Sequence, residues 1–159
     1  MTYFLPSAEA TDALGHALAA SLPPEPMVVH LVGDLGAGKS TLARALLRGL
    51  GVEGPIRSPT YTLVERYATS RGEALHLDLY RIGDAGELEF LGLEPAEARL
   101  WLVEWPERAA AGGLPPADLQ IQLAIERDGR SVLLTPYSSA ADGWLTAAKA
   151  AFTCEDLHG

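Results

Sequence analysis

Cysteine is nearly absent from this chain of 159 residues: Cys154 stands alone near the C-terminus. One thiol cannot close an internal disulfide, which points to a reducing cytoplasm. Long apolar runs are absent too. Hydrophobic residues make up 48% of the chain, yet none of their runs approaches the ~20 residues that span a bilayer, and no membrane association is expected. Met1-Thr-Tyr-Phe-Leu-Pro6 lacks a basic flank and a cleavage site, so no signal peptide is expected. Positive charge is scarce, with 12 Lys and Arg against 21 Asp and Glu and a net charge of −9. That balance excludes a broad nucleic-acid footprint, which needs a basic patch. Contact with RNA would have to be local or made by a partner. An acidic body suits docking onto a more basic protein, and equally suits plain solubility. Repeats, low-complexity tracts and linkers are also missing. The length therefore implies one globular domain over 1–159, able to bury roughly 70% of its unfolded surface.

Against these absences stands one strong motif, Gly33-Asp34-Leu35-Gly36-Ala37-Gly38-Lys39-Ser40-Thr41. Met27-Val-Val-His-Leu-Val32 before it reads as a short buried strand, and Thr41 to Leu50 after it as an amphipathic helix. This is the P-loop pattern in its proper context. Gly33, Gly36 and Gly38 permit backbone torsions that turn successive N–H groups toward one anion. The helix N-terminus adds partial positive charge. Lys39 is expected to reach the outer phosphates of a nucleoside triphosphate, and the Ser40 hydroxyl to ligate Mg²⁺. The chain contains no asparagine, so the Asn-Lys-x-Asp motif that reads guanine cannot exist, and ATP is the expected nucleotide.

The remaining pattern predicts an α/β domain, with helices flanking a mixed sheet that is parallel around the P-loop and antiparallel in its hairpins. Ser7 is expected to cap a helix over Ala8–Leu22, with Ala10, Leu14, Leu18 and Leu22 on one face. Tyr61–Tyr67 and Ala74–Tyr80 read as strands joined through Thr69-Ser-Arg-Gly72. Asp84 caps a short helix through Phe90. Leu100–Val103 is a continuous apolar run, as a central strand covered on both faces requires. Leu119–Glu126 and Ser131–Tyr137 flank Arg127-Asp-Gly-Arg130, where Asp-Gly signals a hairpin. Ser139–Phe152 reads as a C-terminal helix, followed by a tail to residue 159.

Phosphate chemistry at a P-loop needs a carboxylate opposite it, and two positions qualify. Glu104 ends the apolar strand, where a Walker-B acid sits. Asp78 alternates with leucines in His76-Leu-Asp-Leu-Tyr80 and so faces away from Leu77 and Leu79. One carboxylate would serve the Mg²⁺ shell and the other orient water. Asp78 could instead pair with Arg81 or lie on an exposed strand face. Thr60, in Ser58-Pro-Thr-Tyr-Thr62, is either a switch residue sensing the γ-phosphate or an ordinary strand-start residue. Trp105 could stack on a base, fill a partner surface or sit in the core. His76 reads as a satisfied structural histidine rather than a ligand. Glu87, Glu89 and Glu94 read as a solvated face.

Five segments then occur in order: Gly33–Thr41, Ser58-Pro-Thr-Tyr-Thr-Leu-Val-Glu65, His76-Leu-Asp-Leu-Tyr-Arg81, Glu87-Leu-Glu-Phe-Leu-Gly92 and Leu102-Val-Glu-Trp-Pro106. Together they resemble the TsaE (YjeE) family of bacterial ATPases, which assist synthesis of threonylcarbamoyladenosine in tRNA. The likeness runs from about Ser7 to Leu133. It implies phosphate and Mg²⁺ binding by Lys39 and Ser40, a role in Mg²⁺ binding and hydrolysis for Glu104, and a matching acidic role for Asp78. It also implies Trp105 beside the nucleotide and Thr11 near the adenine. Ser40 stands where many relatives have Thr and keeps the hydroxyl. The implied partners are two paralogous subunits of the threonylcarbamoyl-transfer complex, of TsaB and TsaD type, one carrying the metal site that modifies tRNA. This chain would meet tRNA only through them, and its ATP hydrolysis would reset the complex between turnovers. Two other classes remain open: a small-molecule P-loop kinase, which needs an acceptor pocket and clustered arginines, and a docking switch that binds ATP without hydrolysing it.

Overall fold

The computed structural model describes residues 1–59, 62–82, 98–109 and 113–152. In chain order these form β1 (Thr2–Leu5), α1 (Ala8–Ala20), β2 (Met27–Val32), α2 (Lys39–Gly49), β3 (Val64–Thr69), β4 (Gly72–Asp78), β5 (Leu100–Glu104), β6 (Leu119–Glu126), β7 (Gly129–Pro136) and α3 (Ser139–Ala151). The strands make one sheet in the order β1-β7-β6-β2-β5-β4-β3. β2 runs parallel to both β5 and β6, and β5 parallel to β4, while the outer pairs β3–β4, β6–β7 and β1–β7 are antiparallel. The expected mixed α/β architecture is the observed one.

Alternation along the central strands decides what faces the helices. Val29 and Leu31 of β2, Leu100 and Leu102 of β5, and Leu119, Ile121 and Leu123 of β6 join Leu14, Leu18, Leu42, Leu46 and Trp144 in the main core. Val28, Leu75, Leu77, Leu79, Trp101 and Val103 point to the other face and form a smaller cluster. β5 is buried at all five positions, as a strand with parallel neighbours on both sides must be. By the same alternation His76, Asp78 and Glu104 share the helix-side face with α2. Ser7 caps α1, its Oγ accepting from the Ala10 N–H at 3.2 Å, and Ser138 caps α3 in the same way. The Trp144 indole donates to the Leu18 carbonyl at 2.9 Å and ties α3 to α1.

Several expected boundaries shift. α1 ends at Ala20, where the Ser21 and Leu22 N–H groups close the final turn on Ala17 and Ala19. α2 starts at Lys39 rather than Thr41, because the helix begins directly on the P-loop glycine. β3 and β4 span Val64–Thr69 and Gly72–Asp78, with only Ser70 and Arg71 between them. The second hairpin turns on Arg127 and Asp128, with Arg127 at φ 55° and Gly129 paired opposite Glu126. The glycine of the Asp-Gly pair serves packing instead: a Cβ there would run into the Leu5 carbonyl of β1. β1 itself is an addition to the expected elements. Its four residues pair only with β7, at the sheet edge. The expected helix from Asp84 to Phe90, the acidic positions Glu87, Glu89 and Glu94, and Cys154 with the tail lie outside the described residues. Among the described residues no helix is long and apolar enough to cross a membrane.

Candidate nucleotide and metal site

The loop between β2 and α2 has the features of an anion cradle. Gly36 and Gly38 have φ of 80° and 105°, values that favour glycine, and a Cβ at either would meet nothing within 4 Å. The left-handed Gly38 is the N-cap of α2 and offers no side-chain cap, so first-turn N–H groups stay available to an anion. Lys39 is only 5% exposed. Its ammonium donates to the Gly33 carbonyl and to the Asp34 carbonyl at 3.0 Å, and sits 4.3 Å from the centre of the Trp105 ring. Burial holds Lys39 below its ordinary pKa, while the negative charges of Glu104, Asp78, Glu107 and Asp34 pull it back up.

Two acidic side chains face this lysine. Asp78 and Glu104 are register partners at the ends of adjacent parallel strands. Glu104, 2% exposed, accepts the Ser40 hydroxyl at 3.0 Å to Oε1 and 3.2 Å to Oε2. Its Oε2 also lies 2.6 Å from His76 Nε2. The sequence predicts a satisfied structural histidine here, but the Nδ1 of His76 is buried with no hydrogen-bond partner among the described residues, so the ring is not fully satisfied. Asp78 is 7% exposed, which overturns the exposed-face alternative, and its Oδ1 accepts from the Tyr80 N–H at 3.0 Å. Ser40 and Glu104 give two hard oxygen donors, a set that fits Mg²⁺, an ion that takes one or two protein ligands and completes its shell with phosphates and water. No group of three or more His, Cys, Asp or Glu among the described residues could hold a metal by itself.

Trp105 follows Glu104 in a left-handed conformation, φ 57°. The ring is half-buried, neither a core tryptophan nor a free one. It packs 4.9 Å from the Tyr80 ring, and the Arg108 guanidinium lies 5.0 Å from Tyr80 and 5.7 Å from Trp105.

A cavity of about 520 Å³ opens above these groups, lined by Leu35, Gly36, Gly38, Lys39, Ser40, Thr41, Asp78, Glu104 and Trp105 together with Tyr80, Arg81 and Arg130. A second cavity of about 210 Å³ shares Gly38, Thr41 and Arg130 with it and adds Ser7, Thr11 and Asp128. Thr11 thus lies one compartment away from the carboxylates, buried on α1. Gly33 and Asp34 meet the site through their carbonyls on Lys39, and Ala37 is buried beneath the loop. Thr60 lies outside the described residues. Sequence reasoning missed Arg130, which donates from β7 to the Ala37 and Gly36 carbonyls, each at 3.1 Å. Nothing in the local pattern of β7 marks it, since its role depends on a contact 93 residues away in sequence. Arginines scattered along the chain therefore do converge here, although Arg130 is engaged by the loop and Arg108 by aromatic rings.

A family model described as threonylcarbamoyl adenosine biosynthesis protein TsaE matches residues 5–132. The chain belongs to the TsaE family. It is similar to the tRNA threonylcarbamoyladenosine biosynthesis protein TsaE of Haemophilus influenzae, 40% identical over 123 residues that cover 76% of this chain and 77% of that protein. The protein of the same name from a Nostoc species is 36% identical over 142 residues, 85% of either chain. Among solved structures, the crystal structure of Bacillus subtilis YdiB superposes with a TM-score of 0.72 at 25% identity, covering 94% of each chain. The TsaE match takes in the P-loop, both carboxylates, Trp105 and Arg130, so each side chain that lines the larger cavity falls within the family region.

Proposed function

We propose that this chain is a single-domain, Mg²⁺-dependent ATPase of the cytoplasm. It would serve the synthesis of threonylcarbamoyladenosine in tRNA, which its TsaE relatives are named for. The observation that carries the reading is the Ser40 hydroxyl on the Glu104 carboxylate, at 3.0 Å and 3.2 Å, beside the buried Lys39. Main-chain N–H groups at Gly36–Lys39 and the Lys39 ammonium would bind the phosphates. Ser40 and Glu104 would hold Mg²⁺, which when bound neutralises developing charge on the transferred phosphoryl group. We assign Asp78 to orienting the attacking water, supported by its burial and its register with Glu104. Thr11 and the smaller cavity suit the adenine side of the nucleotide, and Trp105 the phosphate side, where its ring meets Lys39. Thr60 keeps the proposed role of a γ-phosphate sensor.

The partners in this reading are TsaB- and TsaD-type subunits, with tRNA reached only through them and hydrolysis resetting the assembly between turnovers. Phosphate release from ATP, measured for the chain alone, with those subunits, and with subunits and tRNA, tests it. Release is expected to be highest in the full mixture. Glu104→Gln should lower it by roughly 10²-fold while a non-hydrolysable ATP analogue still binds. No release in any mixture overturns the ATPase reading, and a phosphorylated small acceptor in place of free phosphate would make the chain a kinase. Full tRNA modification by Glu104→Gln would make it a docking switch.

A further inference from the structure

His76 is the buried titratable side chain for which the mechanism above has no use. It lies on β4 two residues before Asp78, on the face turned toward α2. The imidazole and the Glu104 carboxylate are 1% and 3% exposed, with Nε2 and Oε2 2.6 Å apart. An ionised carboxylate only accepts, so the proton of this bond belongs to His76 Nε2, and the ring donates. Packing does not explain the residue. Its neighbours on that face, Ala74 of β4 and Leu102, the register partner of His76 on β5, are apolar and buried. An aliphatic side chain beside them would carry no Nδ1 to leave buried without a partner among the described residues. The imidazole contributes one specific thing that an aliphatic group could not, a donor on Glu104.

We propose that His76 is a positioning residue that holds the Glu104 carboxylate in the orientation needed to share Mg²⁺ with Ser40. With Oε2 held by the ring, rotation of the carboxylate is restrained, and Oε1 keeps its 3.0 Å contact to Ser40. Without the imidazole, the Ser40 hydroxyl is the remaining donor on the carboxylate among the described residues, and the carboxylate would be less restrained from turning toward the Lys39 ammonium. Partners that orient a ligating side chain from behind commonly change metal affinity by 10–100-fold when removed. The proposal rests on the Mg²⁺–ATP reading of the site, and adds that the site's metal affinity is set from β4 as well as from β5.

Calorimetric titration of a non-hydrolysable ATP analogue across a series of Mg²⁺ concentrations tests this by binding alone. In the unaltered chain Mg²⁺ is expected to strengthen nucleotide binding. His76→Leu should raise the Mg²⁺ concentration at half effect by about 10-fold or more, with Mg²⁺-free affinity changed less than about 2-fold. His76→Gln, whose amide nitrogen can reach the same oxygen, should stay within about 3-fold of the unaltered chain. A Mg²⁺ midpoint for His76→Leu equal to that of the unaltered chain overturns the proposal, as does equal loss in the Leu and Gln variants. If His76→Leu does not fold, His76→Asn replaces it, since the shorter amide keeps polarity but falls short of Glu104. Equal midpoints for Asn and Gln then overturn the proposal. Absence of any Mg²⁺ effect in the unaltered chain would instead remove the Mg²⁺–ATP reading on which it stands.

Discussion

In the parallel half of the sheet, β4 and β5 end side by side, and Asp78, Glu104 and the donor on Glu104 all come from those two strands. In the antiparallel half, β6, β7 and β1 deliver no carboxylate to the larger cavity. Arg130 of β7 reaches over the P-loop instead and takes the carbonyls of Gly36 and Ala37. With these two carbonyls fixed by the guanidinium and the Ala37 N–H bonded to the Asp34 carbonyl at 3.1 Å, the loop is braced in one conformation. One half of the molecule thus supplies charge at strand ends, and the other braces the loop proposed to bind phosphates. The comparison teaches that a P-loop is held from outside as well as by its own glycines.

The largest expected effect tests the charged half. Lys39→Ala removes the only ammonium among the described residues that line the cavity and would leave phosphate charges undercompensated. It should cost about 2–3 kcal/mol of ATP affinity, on the order of 30–150-fold, read by titration with a fluorescent ATP analogue. Unchanged affinity would remove the P-loop assignment and with it the first half of the comparison.

A smaller effect tests the shaping half. Arg130→Met keeps most of the aliphatic bulk and deletes the two bonds to the loop carbonyls. Nucleotide affinity should fall by roughly 3–10-fold, in line with about 1 kcal/mol for hydrogen bonds of this kind, while the thermal midpoint of the free chain moves little. An affinity equal to that of the unaltered chain would reduce the antiparallel half to scaffold. A loss as large as that of Lys39→Ala would show that Arg130 contacts the phosphates directly, and would sharpen the comparison by giving both halves charge.

The same division explains what could be read from the sequence. Lys39, Ser40 and Glu104 were legible because local order alone carries them: strand, glycine loop and helix in the first case, a buried apolar run ending in an acid in the second. Asp78 was legible from alternation with leucines. His76 and Arg130 were not, because what each touches depends on strand register and on a hairpin folding back over the loop, neither of which a local pattern encodes. β1 escaped for a related reason. Thr2-Tyr-Phe-Leu5 is four residues long and takes its place only by pairing with β7, so no periodicity announces it. The Asp-Gly pair does mark a hairpin, whose turn is made by Arg127 and Asp128, while Gly129 lies against the Leu5 carbonyl.

The smallest expected effect lies on the seam between the halves. His30 of β2 is the register partner of Val103 on β5 and of Gln120 on β6. Its Nε2 is buried with no hydrogen-bond partner among the described residues. Burial lowers the imidazole below its ordinary pKa of 6.5, and this outweighs a hydrogen bond to the Pro115 carbonyl and the charge of Glu107, both of which favour the protonated ring. The sign follows from linkage. The unfolded chain protonates His30 first as pH falls, so the stability tied to the neutral ring is full above pH 6.5 and is lost as pH drops through the lower folded value. His30→Gln carries no such proton. Thermal midpoints measured at pH 7.5 and pH 5.5 should therefore fall less in His30→Gln than in the unaltered chain, with the difference growing toward the acid side. If both fall equally, protonation of the buried His30 ring on β2 does not govern the acid sensitivity of the fold.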